Sequence, residues 1–81
     1  MRDLTLRQAE IMAFLRSFKT ARGFPPTRAE IAKHFGFKSP NAAEEHLRAI
    51  ERKGELTINR GSARGLAFAD YPIRQHQQAT A

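Results

Sequence analysis

The sequence predicts an α+β fold that is mainly α: three helices followed by a two-stranded β-hairpin. Three observations predict it. Apolar residues recur at spacings of three and four in three windows, separated by Gly and Pro breakers. Each window opens on a Thr or Ser suited to an N-cap and closes on a glycine. After Gly54 the period changes from helical to alternating, as in a half-buried strand pair.

The first helix spans Leu6 to Arg22. Thr5 caps it, Gln8 completes a capping box and Gly23 stands at the C′ position. Leu4, Ala9, Ile11, Met12, Leu15 and Phe18 form its apolar stripe, which Phe14 widens. Pro25 and Pro26 then force an extended turn, which Phe24 is expected to anchor to the core. The second helix spans Arg28 to Phe35, with Thr27 and Glu30 as a second capping box and Gly36 as its end. Ile31, Ala32 and Phe35 form its inward face; so short a helix must be held by its neighbours.

Ser39 caps the third helix, Pro40 takes its first position and Gly54 its stop. Ala43, Leu47 and Ile50 make a narrow inward face, with Asn41, Glu44, Glu45, Arg48 and Arg52 assigned to the opposite side. Only Gly36-Phe37-Lys38 separates the second helix from the third cap, which is a helix-turn-helix pattern. The turn alone fits any αα-hairpin in a small bundle equally well. The strands are Leu56–Asn59 and Leu66–Phe68, joined by Arg60-Gly61-Ser62-Ala63-Arg64-Gly65. A strand pair after a helix-turn-helix reads as a wing, making the whole a winged helix-turn-helix over residues 1–69. Residues 70–81 have little apolar content and no period, and read as a tail or linker stub.

Eighty-one residues allow one core and no deep substrate cleft. With no cysteine, disulfide scaffolds, zinc fingers and thiol catalysis are excluded. His34, His46 and His76 are too scattered to suggest a metal site, His34 and His46 reading as partly packed helix residues. There is no phosphate-cradling glycine loop and no paired carboxylate cluster outside a helix, so no enzyme, cofactor or metal is expected. No apolar run approaches membrane-span length, and a cytoplasmic protein is expected. Fourteen Lys and Arg against eight Asp and Glu give a net charge of +6, which suits a polyanion partner, foremost nucleic acid.

A helix in the major groove reads bases with its first turns. Here those positions are Ser39, Asn41, Ala42, Glu44 and Glu45. Asn can bond adenine bidentately, Glu can accept from the cytosine amino group and Ala can lie against a thymine methyl. Glu44 and Glu45 equally suit the first half of a helix, where they can pair with Arg48. Arg28, Arg48 and Arg52 are placed to offset their charge, and Arg7, Lys38, Lys53, Arg60 and Arg64 flank the face as candidate phosphate contacts.

The run Pro25-Pro26-Thr27-Arg28-Ala29-Glu30-Ile31-Ala32, then Phe35 through Leu47 with Ser39-Pro40-Asn41-Ala42-Ala43-Glu44-Glu45-His46-Leu47, then Lys53-Gly54, resembles the DNA-binding domain of the LexA repressor family. Leu4-Thr5 with Arg7-Gln8 and the wing residues Gly61 to Gly65 match as well, so the resemblance covers roughly residues 1–68. It implies a repressor of DNA-damage-response (SOS) genes, with two copies on a double-stranded palindromic operator of CTGT-type half-sites. It implies base contacts from Ser39, Asn41, Ala42, Glu44 and Glu45. The family wing implies backbone contacts from Gly61, Ser62 and Arg64; Thr5, Arg7, Arg28, Lys38, Arg48, Arg52 and Lys53 are the further backbone candidates, by their own position and chemistry.

Full-length family members add a C-terminal domain that dimerises and self-cleaves at an Ala-Gly bond, with the RecA filament as a partner. This chain contains no Ala-Gly dipeptide, and its residues from Tyr71 are not acidic like many family linkers, so self-cleavage is not expected of it. A domain of a longer repressor and a short stand-alone or phage-encoded regulator both remain open. So does a winged-helix protein-interaction module.

Overall fold

The computed structural model describes residues 3–69. The expected tail, His76 included, lies outside the described residues. Among the described residues there are three helices, α1 (Leu6–Arg22), α2 (Arg28–Phe35) and α3 (Pro40–Arg52), and two short strands, β1 (Thr57–Ile58) and β2 (Leu66–Ala67). The strands pair antiparallel, with Thr57 opposite Ala67 and Ile58 opposite Leu66. This is the expected winged helix-turn-helix, with a wing shorter in ladder than the sequence alternation suggests.

The helix ends follow from local chemistry. The Thr5 hydroxyl accepts from the Gln8 amide at 3.1 Å while Gln8 Oε1 accepts from the Thr5 amide at 2.9 Å. Thr27 and Glu30 repeat the exchange at 3.1 and 2.8 Å. Ser39 Oγ accepts from the Ala42 amide at 3.3 Å, with Pro40 at the first helical position. Gly36 ends α2 at φ 76°, a left-handed conformation that other residues resist. Phe37 then reaches back to the Ala32 carbonyl at 2.9 Å, which closes the helix-turn-helix turn. Gly54, also left-handed, follows the Lys53 cap of α3.

Ile11, Met12 and Leu15 of α1, Ile31 and Ala32 of α2, and Ala43, Leu47 and Ile50 of α3 form the core, which Leu56, Ile58 and Leu66 close from the wing side. Leu4, Phe14, Phe35, Phe37 and Phe68 pack around it. Two expectations are corrected. Ala9 is exposed, and the buried residue of that turn is Gln8. At about 100° per residue, position 8 falls beside 11, 12 and 15, and 9 falls outside them. Gln8 can be buried because its Oε1 accepts from both the Thr5 amide and Lys53 Nζ, the latter at 2.7 Å. Phe24 is 41% exposed and stays outside the core, its ring edge-on to Phe18 at 6.1 Å; Pro26 is the side chain buried there.

A candidate nucleic-acid interface

The first turns of α3 carry exposed Ser39, Asn41 and Glu45, with Ala42 half-buried beside them. Exposed Lys38 precedes them and exposed Arg48 follows one turn on. These side chains share one outward surface because the opposite face, Ala43, Leu47 and Ile50, is wholly buried.

Glu44 behaves differently from its neighbour. The sequence assigns both glutamates to the outward side, yet the Glu44 side chain is only 16% exposed. It lies about 100° from Ala43, on the flank of the helix that meets α2 and the wing. There Oε1 accepts from Arg28 Nε at 2.7 Å, Oε2 accepts from Arg48 Nε at 2.9 Å, and Arg60 stands 4.0 Å away. Burial pushes the Glu44 carboxyl up, but the hydrogen bonds from Arg28 and Arg48 outweigh it and hold the group below the usual carboxylate range. The carboxylate is therefore charged and aimed by its neighbours.

The wing is tied down by side chains. Arg28 NH1 donates to the Ala63 carbonyl at 3.2 Å. Arg64 forms a fork on Glu30, NH1 to Oε1 at 2.9 Å and NH2 to Oε2 at 3.0 Å, and NH1 also donates to the Pro25 carbonyl at 3.0 Å. Its guanidinium lies over the Phe24 ring, 4.6 Å from the centroid. The fork, with the Thr27 amide, holds the Glu30 carboxyl at about 2. Glu51 supports β1: Oε2 accepts from the Ile58 amide at 3.0 Å and Oε1 from Arg60 NH2 at 3.3 Å. Ser62 and Gly61 stand exposed at the tip.

The other expected backbone contacts occupy varied places. Arg7 is exposed at the start of α1, 3.7 Å from Glu10, with its guanidinium 5.4 and 5.8 Å from the Phe35 and Phe37 ring centroids. Thr5 serves the α1 cap. Lys53 Nζ donates to the Asp3 carbonyl at 2.9 Å and to Gln8, which ties the end of α3 to the start of α1. Arg52 is exposed in the last turn of α3. Sequence reasoning missed Glu51 and the second duty of Glu30. Neither carries a sequence signal, because each acts on a residue brought to it by the fold. His34 stacks on Phe14 and His46 on Phe37, with centroids 4.0 and 5.0 Å apart, so both are packed ring against ring. Among the described residues, no helix is long and apolar enough to cross a membrane.

The family model of the LexA DNA binding domain matches residues 1–65. The chain is 49% identical over 79 residues to LexA repressor 1 of Pseudomonas syringae pv. tomato, covering 98% of this chain and 39% of that protein. It is 58% identical over 71 residues to the LexA repressor of Pseudomonas aeruginosa, covering 88% of this chain and 35% of that protein. Against LexA repressor 1 of Pseudomonas putida it is 59% identical over 66 residues, 82% of this chain and 33% of that protein. The chain thus spans little more than a third of the length of these relatives. Its three capped helices, its wing and the family match over residues 1–65 together make it a member of the LexA family, carrying that family's DNA-binding domain.

Proposed function

We propose that this domain is the operator-reading part of a transcriptional repressor of DNA-damage-response genes, seated with α3 in the major groove of double-stranded DNA. The observation that carries this reading is the outward surface at the start of α3. Ser39, Asn41 and Glu45 are exposed there, flanked by Lys38 and Arg48, on a chain of net charge +6. Asn41 and Glu45 supply a bidentate adenine partner and a cytosine acceptor, and Ala42 a surface for a thymine methyl. Glu44 joins them from the flank with its carboxylate already oriented by Arg28 and Arg48.

Lys38, Arg48, Arg52 and Arg7 are the phosphate contacts in this reading, with Thr5, Arg28 and Lys53 beside the same backbone and Gly61 and Ser62 approaching it from the wing tip. The operator is a palindrome of CTGT-type half-sites, bound by two copies of the domain. The partners beyond DNA belong to the whole protein: a C-terminal dimerisation and peptidase domain, and the RecA filament.

The test is binding of the chain to a CTGT palindrome and to a scrambled duplex at one fixed salt concentration. A clear preference for the palindrome is expected, with a salt slope of about −0.9 per phosphate neutralised. Asn41→Ala or Glu45→Ala should then cut the discrimination by roughly 1–3 kcal/mol per lost pair. Equal losses on both duplexes would refute the base-reading roles.

A further inference from the structure

The wing has little of its own to hold it. Its ladder has two residue pairs, Thr57 with Ala67 and Ile58 with Leu66, and a two-stranded hairpin this small is marginal by itself. Residues 59–65 close on themselves through Asn59 to Gly65 at 2.6 Å, Ser62 to Asn59 at 3.3 Å and Gly65 to Ser62 at 3.2 Å. Those bonds shape the tip but do not aim it. Arginines do: Arg60 reaches from the start of the tip to Glu51 of α3 at 3.3 Å, and two more join the tip to α2 in opposite senses. Arg64 reaches from the tip to Glu30 and the Pro25 carbonyl at the start of α2. Arg28 reaches from the start of α2 back to Ala63, the residue before Arg64, while its Nε holds Glu44 of α3.

We propose that Arg64 is a positioning residue, a latch that fastens the wing to the start of α2 and so sets the wing's place relative to α3 before any DNA is met. It acts on binding through Glu30 rather than by touching phosphate, and Arg28 is its counterpart on the other side of the latch. Geometry favours this over a phosphate contact. Both terminal nitrogens of Arg64 are engaged by the fork, NH1 also bonds a backbone carbonyl, and the guanidinium is stacked on Phe24. Turning it toward DNA would break all of these at once. The proposal rests on the DNA-binding reading only for its effect on affinity; the latch itself is a property of the free chain.

Three variants separate the roles. Glu30→Gln removes the charge of the partner but keeps an N3 side chain able to close the Thr27 capping box. Arg64→Lys keeps a point charge that a phosphate accepts but cannot form the fork. The third is the double variant. In the free 81-residue chain, backbone ¹⁵N relaxation should show the amides of residues 61–65 as ordered as the helices, and each variant should lower their order parameters below about 0.6. On the CTGT palindrome each single variant should weaken binding by about tenfold. The double variant should be no worse than either, and the salt slope should not change. Near-wild-type binding by Arg64→Lys would overturn the latch. So would tighter binding by Glu30→Gln with a steeper slope, since Glu30 would then be withholding Arg64 from phosphate. Wing order unchanged in all variants would overturn it without any DNA. A wild-type chain that shows no preference for the palindrome would sink the operator reading instead, and the relaxation result would still decide the latch.

Discussion

Leu47 and Gly65 show how much single positions carry in a domain of this size. Leu47 is wholly buried at the centre of the α3 inward face. Leu47→Ala should destabilise the domain by roughly 2–5 kcal/mol, comparable with the whole stability of so short a chain. Loss of helical circular dichroism at 37 °C is expected; a variant that melts like the wild type would mean that Leu47 contributes no core packing. Gly65 is constrained by proximity rather than by dihedral angle. A Cβ there would stand 2.5 Å from the Asn59 carbonyl oxygen, a backbone atom of the opposing side of the wing that cannot move away cheaply, and 2.8 Å from the Asn59 Cβ. Gly65→Ala should therefore force the strands apart and lower stability by about 1–3 kcal/mol. Its signature is loss of the Asn59 to Gly65 hydrogen bond, read by amide exchange at Asn59, with the helices intact.

At the scale of elements, α2 shows how a marginal helix is made secure. Eight residues do not form a stable helix alone. This one has a capping box at one end, a left-handed glycine at the other and the wing's Arg64 on its third residue. The same carboxylate serves cap and latch, so its titration reports both. The Arg64 fork, then the Thr27 amide, lower the Glu30 pKa from 4.5 to about 2. A carboxylate lowered on folding adds stability that is fully present above pH 4.5 and is lost as pH falls toward 2. Melting temperature should fall across that window in the wild type, and more shallowly in Glu30→Gln. Parallel curves for the two proteins would show that Glu30 is not the group responsible. The Glu44 carboxyl, lowered by Arg28 and Arg48 against its burial, titrates in the same direction in both proteins, so the difference between them isolates Glu30.

For the whole molecule, the apolar faces of all three helices are spent on one core. Among the described residues, no heptad run is left over to zip two copies together. The free chain should be monomeric at tens of micromolar, and its two copies should meet on a palindrome through a contact well below the roughly 1,000 Å² that holds a stable dimer. Fusion to a dimerising module should then tighten operator binding by about 10²-fold through effective concentration alone. Sedimentation settles the first point: a stable dimer without DNA would mean that residues 71–81, or an apolar surface such as exposed Leu6, make the contact.

What the sequence determined by itself is whatever depends on neighbours along the chain. The two capping boxes, Ser39-Pro40 at the start of α3, the glycine stops, the Ala43-Leu47-Ile50 face and the change of period after Gly54 all act over a few residues, and each was legible. So was the outward set Ser39, Asn41 and Glu45, since a helix face follows from spacing alone. Tertiary structure decided the rest, because it brings together residues far apart in sequence. Glu44 and Glu45 are adjacent and chemically identical. One lies on the flank and is held by arginines from α2 and α3 while the other stays exposed, a difference of about 100° that matters only once α2 and the wing are in place. Arg64 reads as a solvent-facing wing cation until the fold sets Glu30, Pro25 and Phe24 around it. Lys53 reads as a surface charge until Gln8 and the Asp3 carbonyl arrive from the other end of the chain. Local propensity chooses where helices begin and which face turns inward. Only packing decides which of the remaining charges meet each other and which are left to meet a ligand.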